Sequence, residues 1–345
     1  MMTAAQVAER IVREGVAPMA AAGWARGDAR DVGGSTHVLF DLASVTKPMT
    51  AVAVVRAHMS LVQRPSQPLG AWVPEARGTA SESVALELLL SHRAGLDAHR
   101  TLYAPLLRGE PVDEAAALRE AADARRPDAS GAPPAGGFPP LYSDLGYVLA
   151  GVALARAVGA RDAGEAIGRL VLEPLGIADR AGTIRDLAAR GVHGPFAPTE
   201  TVAWRGGPVI GAVHDENAWA LTGLGGSGHA GIFGTVDAVL TFGQAVLRGI
   251  ESGELEWLVR ERAGGTLRAG FDGKSPEGSS AGTRMGPRTV GHLGFTGTSL
   301  WIDPDAGVVV SLLTNRVCPT REHVAIRAAR PWAHDALFDA AISGR

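Results

Sequence analysis

A chain of 345 residues, 46% hydrophobic and 20% charged, has the balance of a packed protein with room for about two domains. A net charge of −3, with no Lys/Arg cluster interleaved with aromatics, argues against nucleic-acid binding; no apolar run approaches the ~20 residues that span a bilayer. The single cysteine, Cys318, cannot close an intrachain disulfide.

Ala4, Val7, Ala8, Ile11 and Val12 recur at helical spacing and predict an opening helix capped by Thr3 and ended by Gly15. This start has no basic segment followed by an apolar core and a small-residue cleavage site, so the expected location is the cytoplasm. Two short strands are expected next, Met19–Trp24 and Thr36–Leu42, joined by a polar Gly/Asp-rich turn. Helical periodicity follows over residues 48–62, 113–126 and 144–158, the last with Leu145, Val148, Leu149 and Val152 as its buried stripe. The Pro/Gly-rich loop 127–140 is long enough to line a site. Thr298–Asp303 and Val308–Thr314 read as a hairpin around Pro304-Asp305-Ala306-Gly307. A helix over Arg321–Ser343, interrupted near Pro331, closes the chain. Strands at both ends with helices between predict one sheet built from both termini and carrying a helical insertion.

Ser44-Val45-Thr46-Lys47 is an S-x-x-K arrangement at a helix start, which puts serine and lysine one turn apart on one face. The helix amino terminus favours a developing oxyanion at the serine. Its potential, together with burial, is expected to lower the Lys47 pKa so that a neutral amine accepts the serine proton. Tyr142-Ser143-Asp144 opens the helix after the proline-rich loop, and Tyr142 is placed to act as a second acid/base if a cation stabilises its phenolate. His292-Leu293-Gly294 precedes the Thr298 strand. Gly294 there admits a substrate backbone, and the Phe295 N–H is a candidate second oxyanion donor.

Other patterns carry bland readings. Gly278-Ser279-Ser280-Ala281-Gly282 fits G-x-S-x-G but lacks the flanking strand and helix of a nucleophile elbow. It reads as a loop near the Thr298 strand that offers Arg284 as a substrate contact. Ser91-His92 reads as a loop-pinning pair, and His214-Asp215-Glu216-Asn217 as a capped loop rather than a metal cluster. Neither a metal nor an organic cofactor is expected.

FDLASVTKPMTA, LLLSHRAGL, LYSDLGYVLAG, LEPLGI, GHAGIFGTVDAV and GHLGFTGTSLWIDP, in this order between residues 40 and 315, resemble the serine β-lactamase and penicillin-binding-protein superfamily. The similarity points to the branch of class C β-lactamases, D-alanyl-D-alanine peptidases and related esterases. The resemblance implies an α/β sandwich of residues 1–75 and 230–345 with an antiparallel sheet flanked by helices. It also implies an inserted all-helical domain, 76–229, with the site in the cleft between them. It makes Ser44 the acylated nucleophile, Lys47 its proton acceptor, Tyr142 a proton relay and the N–H groups of Ser44 and Phe295 the oxyanion hole. Three departures stand out: Asp144 replaces the usual asparagine, His292 the usual lysine and Leu293 a hydroxyl residue. All three weaken attraction for an anionic substrate. The expected activity is therefore hydrolysis of a small uncharged ester or amide, with lactam or D-alanyl-D-alanine cleavage as the alternative. A binding or regulatory protein that retains the pocket is a third reading, and intact Ser44, Lys47 and Tyr142 argue against it.

Overall fold

The computed structural model describes residues 1–57 and 67–344, so the expected helix over 48–62 falls partly outside the described residues. Its strands are β1 (Ala20–Arg26), β2 (Ala29–Gly34), β3 (Phe40–Asp41), β4 (Ala181–Gly182), β5 (Thr201–Val202), β6 (Gly207–Pro208), β7 (Phe233–Gly234), β8 (Asp272–Gly273), β9 (Val290–Leu293), β10 (Ser299–Asp303) and β11 (Val308–Thr314). The main sheet runs β2-β1-β11-β10-β9-β8, antiparallel throughout, so the two ends of the chain meet at β1 and β11.

Side chains along these strands alternate between two cores. Trp24, Trp301, Val310 and Leu312 face the first and last helices, Ala4–Arg13 and Ile326–Ser343. Leu300, Ile302, Val309 and Leu313 face the helix Val236–Glu251. Because both faces are covered, β10 and β11 are buried at every residue and are mostly apolar, broken only by Ser299, Asp303, Ser311 and Thr314. The opening helix carries the capping box expected of Thr3: its hydroxyl accepts from Gln6 N, and the Gln6 amide oxygen accepts from Thr3 N.

The amino-terminal hairpin departs from the expected one. The strand that pairs with β1 is β2, within the stretch expected to be a turn, whereas Thr36–Leu42 contributes only Phe40–Asp41 to a small sheet ordered β3-β7-β4. The reason is a close approach. A Cβ on Gly33 would lie 2.2 Å from the Ala5 backbone, so glycine here lets the first helix lie directly on β2. The closing helix also begins later than expected, at Ile326. Arg316 holds the preceding segment as a loop by donating to the carbonyls of Arg321 and His323. Pro331 is accommodated inside that helix rather than ending it. Between residues 76 and 229 the regular structure is helical apart from β4, β5 and β6. None of the described helices is long and apolar enough to cross a membrane.

Candidate active site

Ser44 sits in the turn Ala43–Val45 that feeds the buried helix Thr46–Arg56. One helical turn on, Lys47 Nζ donates to Ser44 Oγ at 2.8 Å, to Asp144 Oδ1 at 2.7 Å and to the His229 carbonyl at 3.4 Å. Three acceptors use all three N–H bonds of an ammonium. The geometry therefore fits a charged lysine, and here the expectation from sequence is corrected. Burial pulls the Lys47 pKa down, but the Asp144 carboxylate and Tyr142 outweigh it, and the net displacement is upward from 10.5. The partner responds as an ion pair should: although burial works against its charge, Asp144 is held below the usual carboxylate range by Lys47.

Tyr142 precedes Ser143, which caps the helix Asp144–Val158. Its ring lies under the Lys47 ammonium, 4.8 Å from centroid to Nζ. Even so, burial dominates and raises the phenol above 10, so Tyr142 is a hydroxyl at neutral pH. Two histidines flank it. His92 stacks on the ring at 4.7 Å and accepts from Ser143 N through Nδ1 at 3.0 Å, the pinning role read for it from sequence. His292, whose ring centroid is 5.9 Å from that of Tyr142, donates from Nδ1 to the Leu293 carbonyl at 2.8 Å. Burial pushes both imidazoles down to about 3, so neither supplies a cation at neutral pH.

The turn after β9 supplies the opposite wall. Gly294 is required there: a Cβ would sit 1.9 Å from Thr298 Oγ1 and 2.5 Å from the Leu42 carbonyl. The Phe295 N–H, next along, donates to no backbone or side-chain acceptor among the described residues. Arg330 braces the turn from beneath, donating to the Gly294 and Thr298 carbonyls, and Arg316 Nε donates to the Phe295 carbonyl.

Ser44, Tyr142, Asp144, Gly294 and Phe295 line one cavity of about 460 Å³, with Lys47 buried behind Ser44. The rest of its wall differs from expectation. It comes from His99, Tyr103, residues 214–216 and the arginines after β11, not from the loop 127–140 or the loop that carries Arg284. Arg284 is displaced from the site altogether. Its guanidinium pairs with Asp339 at 2.8 Å and its main-chain N–H with Asp335, which fastens its loop to the closing helix. Ser280 in that loop offers its carbonyl to His334, and no strand or helix flanks it. The cationic side of the cavity is instead Arg316, Arg321, Arg327 and Arg330. Arg321 is engaged by Glu200 and Glu216, and Arg316 and Arg330 by main-chain carbonyls; Arg327 has no acidic partner among the described residues. The cluster of arginines between Asn315 and Pro331 is the sequence signal that marks this wall. Across the cavity, Asp215 caps the helix Glu216–Thr222 and accepts from His229 Nε2 at 2.8 Å.

The family model described as Beta-lactamase matches residues 6–331. The chain belongs to the β-lactamase family. Among its relatives, a protein of Salmonella gallinarum provisionally named a D-alanyl-D-alanine carboxypeptidase is 29% identical over 203 residues, 51% of this chain. The match spans 45% of that relative's length. EstCE1, described as a hydrolase with promiscuous acyltransferase activity, superposes with a TM-score of 0.68 at 20% identity over 96% of each chain. A class C β-lactamase from Rhodobacter sphaeroides superposes with a TM-score of 0.68 at 14% identity over 96% of this chain and 97% of its own. Members of the wider superfamily are serine hydrolases, and in this chain the cavity holds a Lys47–Asp144 ion pair and a neutral histidine beside the tyrosine.

Proposed function

We propose that this β-lactamase-family chain is a serine hydrolase that works through an acyl-enzyme on Ser44 and acts on a small uncharged ester or amide. The observation that carries the reading is the 2.8 Å contact between Ser44 Oγ and Lys47 Nζ, in a cavity whose far wall presents the unengaged Phe295 N–H. In this reading the sandwich of residues 1–75 and 230–345 supplies the nucleophile and the oxyanion turn, and the segment 76–229 supplies Tyr142 and Asp144. Ser44 Oγ attacks the carbonyl carbon while its proton passes to Lys47 in the neutral form. The oxyanion is met by the N–H groups of Ser44 and Phe295. Lys47, with the Tyr142 hydroxyl alongside, returns a proton to the departing alcohol or amine. A water then attacks the acyl-enzyme, releasing the acid and restoring Ser44. The uncharged substrate is supported by Leu293, which offers no hydroxyl to a carboxylate, and by the neutral state of His292. An irreversible fluorophosphonate tests the nucleophile, its phosphorus gaining a bond to Ser44 Oγ and losing fluoride. The expected result is one adduct by intact mass, located on Ser44 by digestion and lost in Ser44→Ala. A folded wild type that takes no adduct would move the reading to a binding protein.

A second reading, cleavage of a carboxylate-bearing lactam or peptide, is favoured by Arg327, the one cavity arginine whose guanidinium makes neither an ion pair nor a hydrogen bond among the described residues. If it holds, Arg327→Ala raises KM for a cephalosporin by about tenfold, the loss of one charge-assisted contact, and leaves KM for a short-chain aryl ester unchanged. Equal KM changes for the two substrates, or none, would reject a carboxylate site there.

A further inference from the structure

Asp41, three residues before the nucleophile, is only 2% exposed and carries a carboxylate with a divided task. One oxygen accepts from Ala43 N at 2.8 Å, the other from His214 N at 2.7 Å. The first bond acts on the nucleophile turn. Ala43 has a φ of +47°, a left-handed conformation that a Cβ-bearing residue keeps only under restraint. The peptide plane between Ala43 and Ser44 contains the Ser44 N–H, so whatever holds Ala43 aims that donor. The second bond acts on the opposite wall. His214 stacks its ring on Phe295, with centroids 5.7 Å apart and planes 20° apart, and its Nε2 is held by Glu200 at 3.1 Å. Direct stitches join the same two walls. The Asp41 carbonyl accepts from Thr296 Oγ1 at 2.7 Å, and the Leu42 carbonyl from Thr298 Oγ1 at 2.9 Å.

We propose that Asp41 is a positioning residue whose carboxylate fixes the two oxyanion donors, the N–H groups of Ser44 and Phe295, relative to each other. The inference rests on the reading of Ser44 as nucleophile, and it asks for a carboxylate rather than a neutral isostere. An asparagine can accept from only one of the two N–H groups. Its NH2 turned toward the other sets donor against donor.

The test compares wild type with Asp41→Asn on a short-chain aryl ester and with a boronic acid that closes a tetrahedral adduct on the serine. Expected are a fall in kcat of roughly ten- to a hundredfold with KM within about twofold, and a boronate Ki raised by the same factor as kcat falls. Hydrogen exchange supplies a readout that needs no turnover: the segments 42–46 and 294–298 should both exchange faster in the variant. His214→Ala, which keeps the main-chain bond to Asp41 but removes the ring from Phe295, should show a smaller change of the same kind centred on 294–298. Unchanged boronate affinity with a raised KM, or faster exchange confined to 42–46, would overturn the proposal. A wild type that neither turns over the ester nor binds the boronate would sink the hydrolase reading alone, because exchange still decides whether Asp41 clamps both walls.

Discussion

Asp144→Asn is expected to acylate faster than the wild type at pH 7, by about tenfold or more, although it removes a buried charge from the site. The argument begins with where the proton rests. Lys47 must be neutral to take the Ser44 proton, yet its pKa is displaced upward from 10.5. Each pH unit below the pKa costs a factor of ten in the neutral fraction, so at pH 7 less than about one site in a thousand is ready. Of the two groups that raise the pKa, Tyr142 is an uncharged hydroxyl in this range, which leaves the Asp144 carboxylate, 2.7 Å from Nζ, as the charge responsible. Asparagine removes that charge and keeps an acceptor. Burial, the largest influence on Lys47, then acts with less opposition and draws the pKa down.

The alternative path, in which Lys47 hands its proton to Asp144 as it takes one from Ser44, is the costlier at neutral pH. It must protonate a carboxylate held below its usual range, whereas bulk water removes the same proton more cheaply as pH rises. Adduct formation with a fluorophosphonate, followed by mass between pH 6 and 10.5, separates the paths. In the wild type the rate should climb about tenfold per pH unit through the neutral range, and in Asp144→Asn it should level off at a lower pH. A variant slower than wild type at every pH would instead make Asp144 the proton acceptor. The same substitution has a separate cost in stability, about 3–5 kcal/mol where Lys47 stays charged without its partner. The thermal midpoint should therefore fall even as the neutral-pH rate rises.

What could be read from the sequence follows the range of the interactions. Ser44 and Lys47 are three residues apart, and a helical turn suffices to join them. The helix Asp144–Val158 and the β10–β11 hairpin are encoded by local periodicity and turn chemistry, and their bounds agree closely with the expected ones. Asp41 stands in the same sequence block as Ser44, yet its partners His214 and Thr296 lie 173 and 255 residues away, and no spacing announces them. Arg284 illustrates the converse. A basic residue on a loop reads as a free cation until Asp335 and Asp339, more than fifty residues on, are seen to hold it elsewhere. The Lys47 pKa went the other way for an electrostatic reason: sequence suggests burial and a helix terminus, both of which lower it, but cannot weigh them against a carboxylate in direct contact. Strand β2 was hidden by its own composition, since Gly33 and its charged neighbours signal a turn unless a helix is known to pack on them.

Below pH 6 the protein is expected to lose stability steeply, at about 4 kcal/mol per pH unit, and to unfold near pH 5 to 4. Three buried histidines drive this. His92, His292 and His334 are each pushed down to about 3, in every case chiefly by burial. Burial keeps each ring neutral, and the bonds each makes are ones a neutral ring can form. His334, for example, donates from Nδ1 to the Ser280 carbonyl and accepts at Nε2 from the Ser299 hydroxyl. In the unfolded chain all three take up a proton near pH 6.5, while in the folded chain they do not until about 3. Over that window the unfolded state binds more protons, so stability falls as pH falls, by about 1.4 kcal/mol per unit for each imidazole. Carboxylates join only later. Glu200, held at about 2 against its burial by His214 and Arg321, keeps its contribution until pH drops below about 4.5. The histidines remove about 8 kcal/mol by about pH 4.5, so a stability in the lower half of the typical range of about 5–15 kcal/mol would be consumed before most carboxylates protonate. Urea unfolding at pH 7.5, 6.5, 5.5 and 5 measures the slope directly. His334→Asn, remote from Ser44, should reduce the slope by about a third while costing stability at pH 7.5 through imperfect replacement of the two hydrogen bonds. A free energy that stays level from pH 7.5 to 5 would mean that these imidazoles gain protons inside the fold, and His292 would then stand beside Tyr142 as a cation after all.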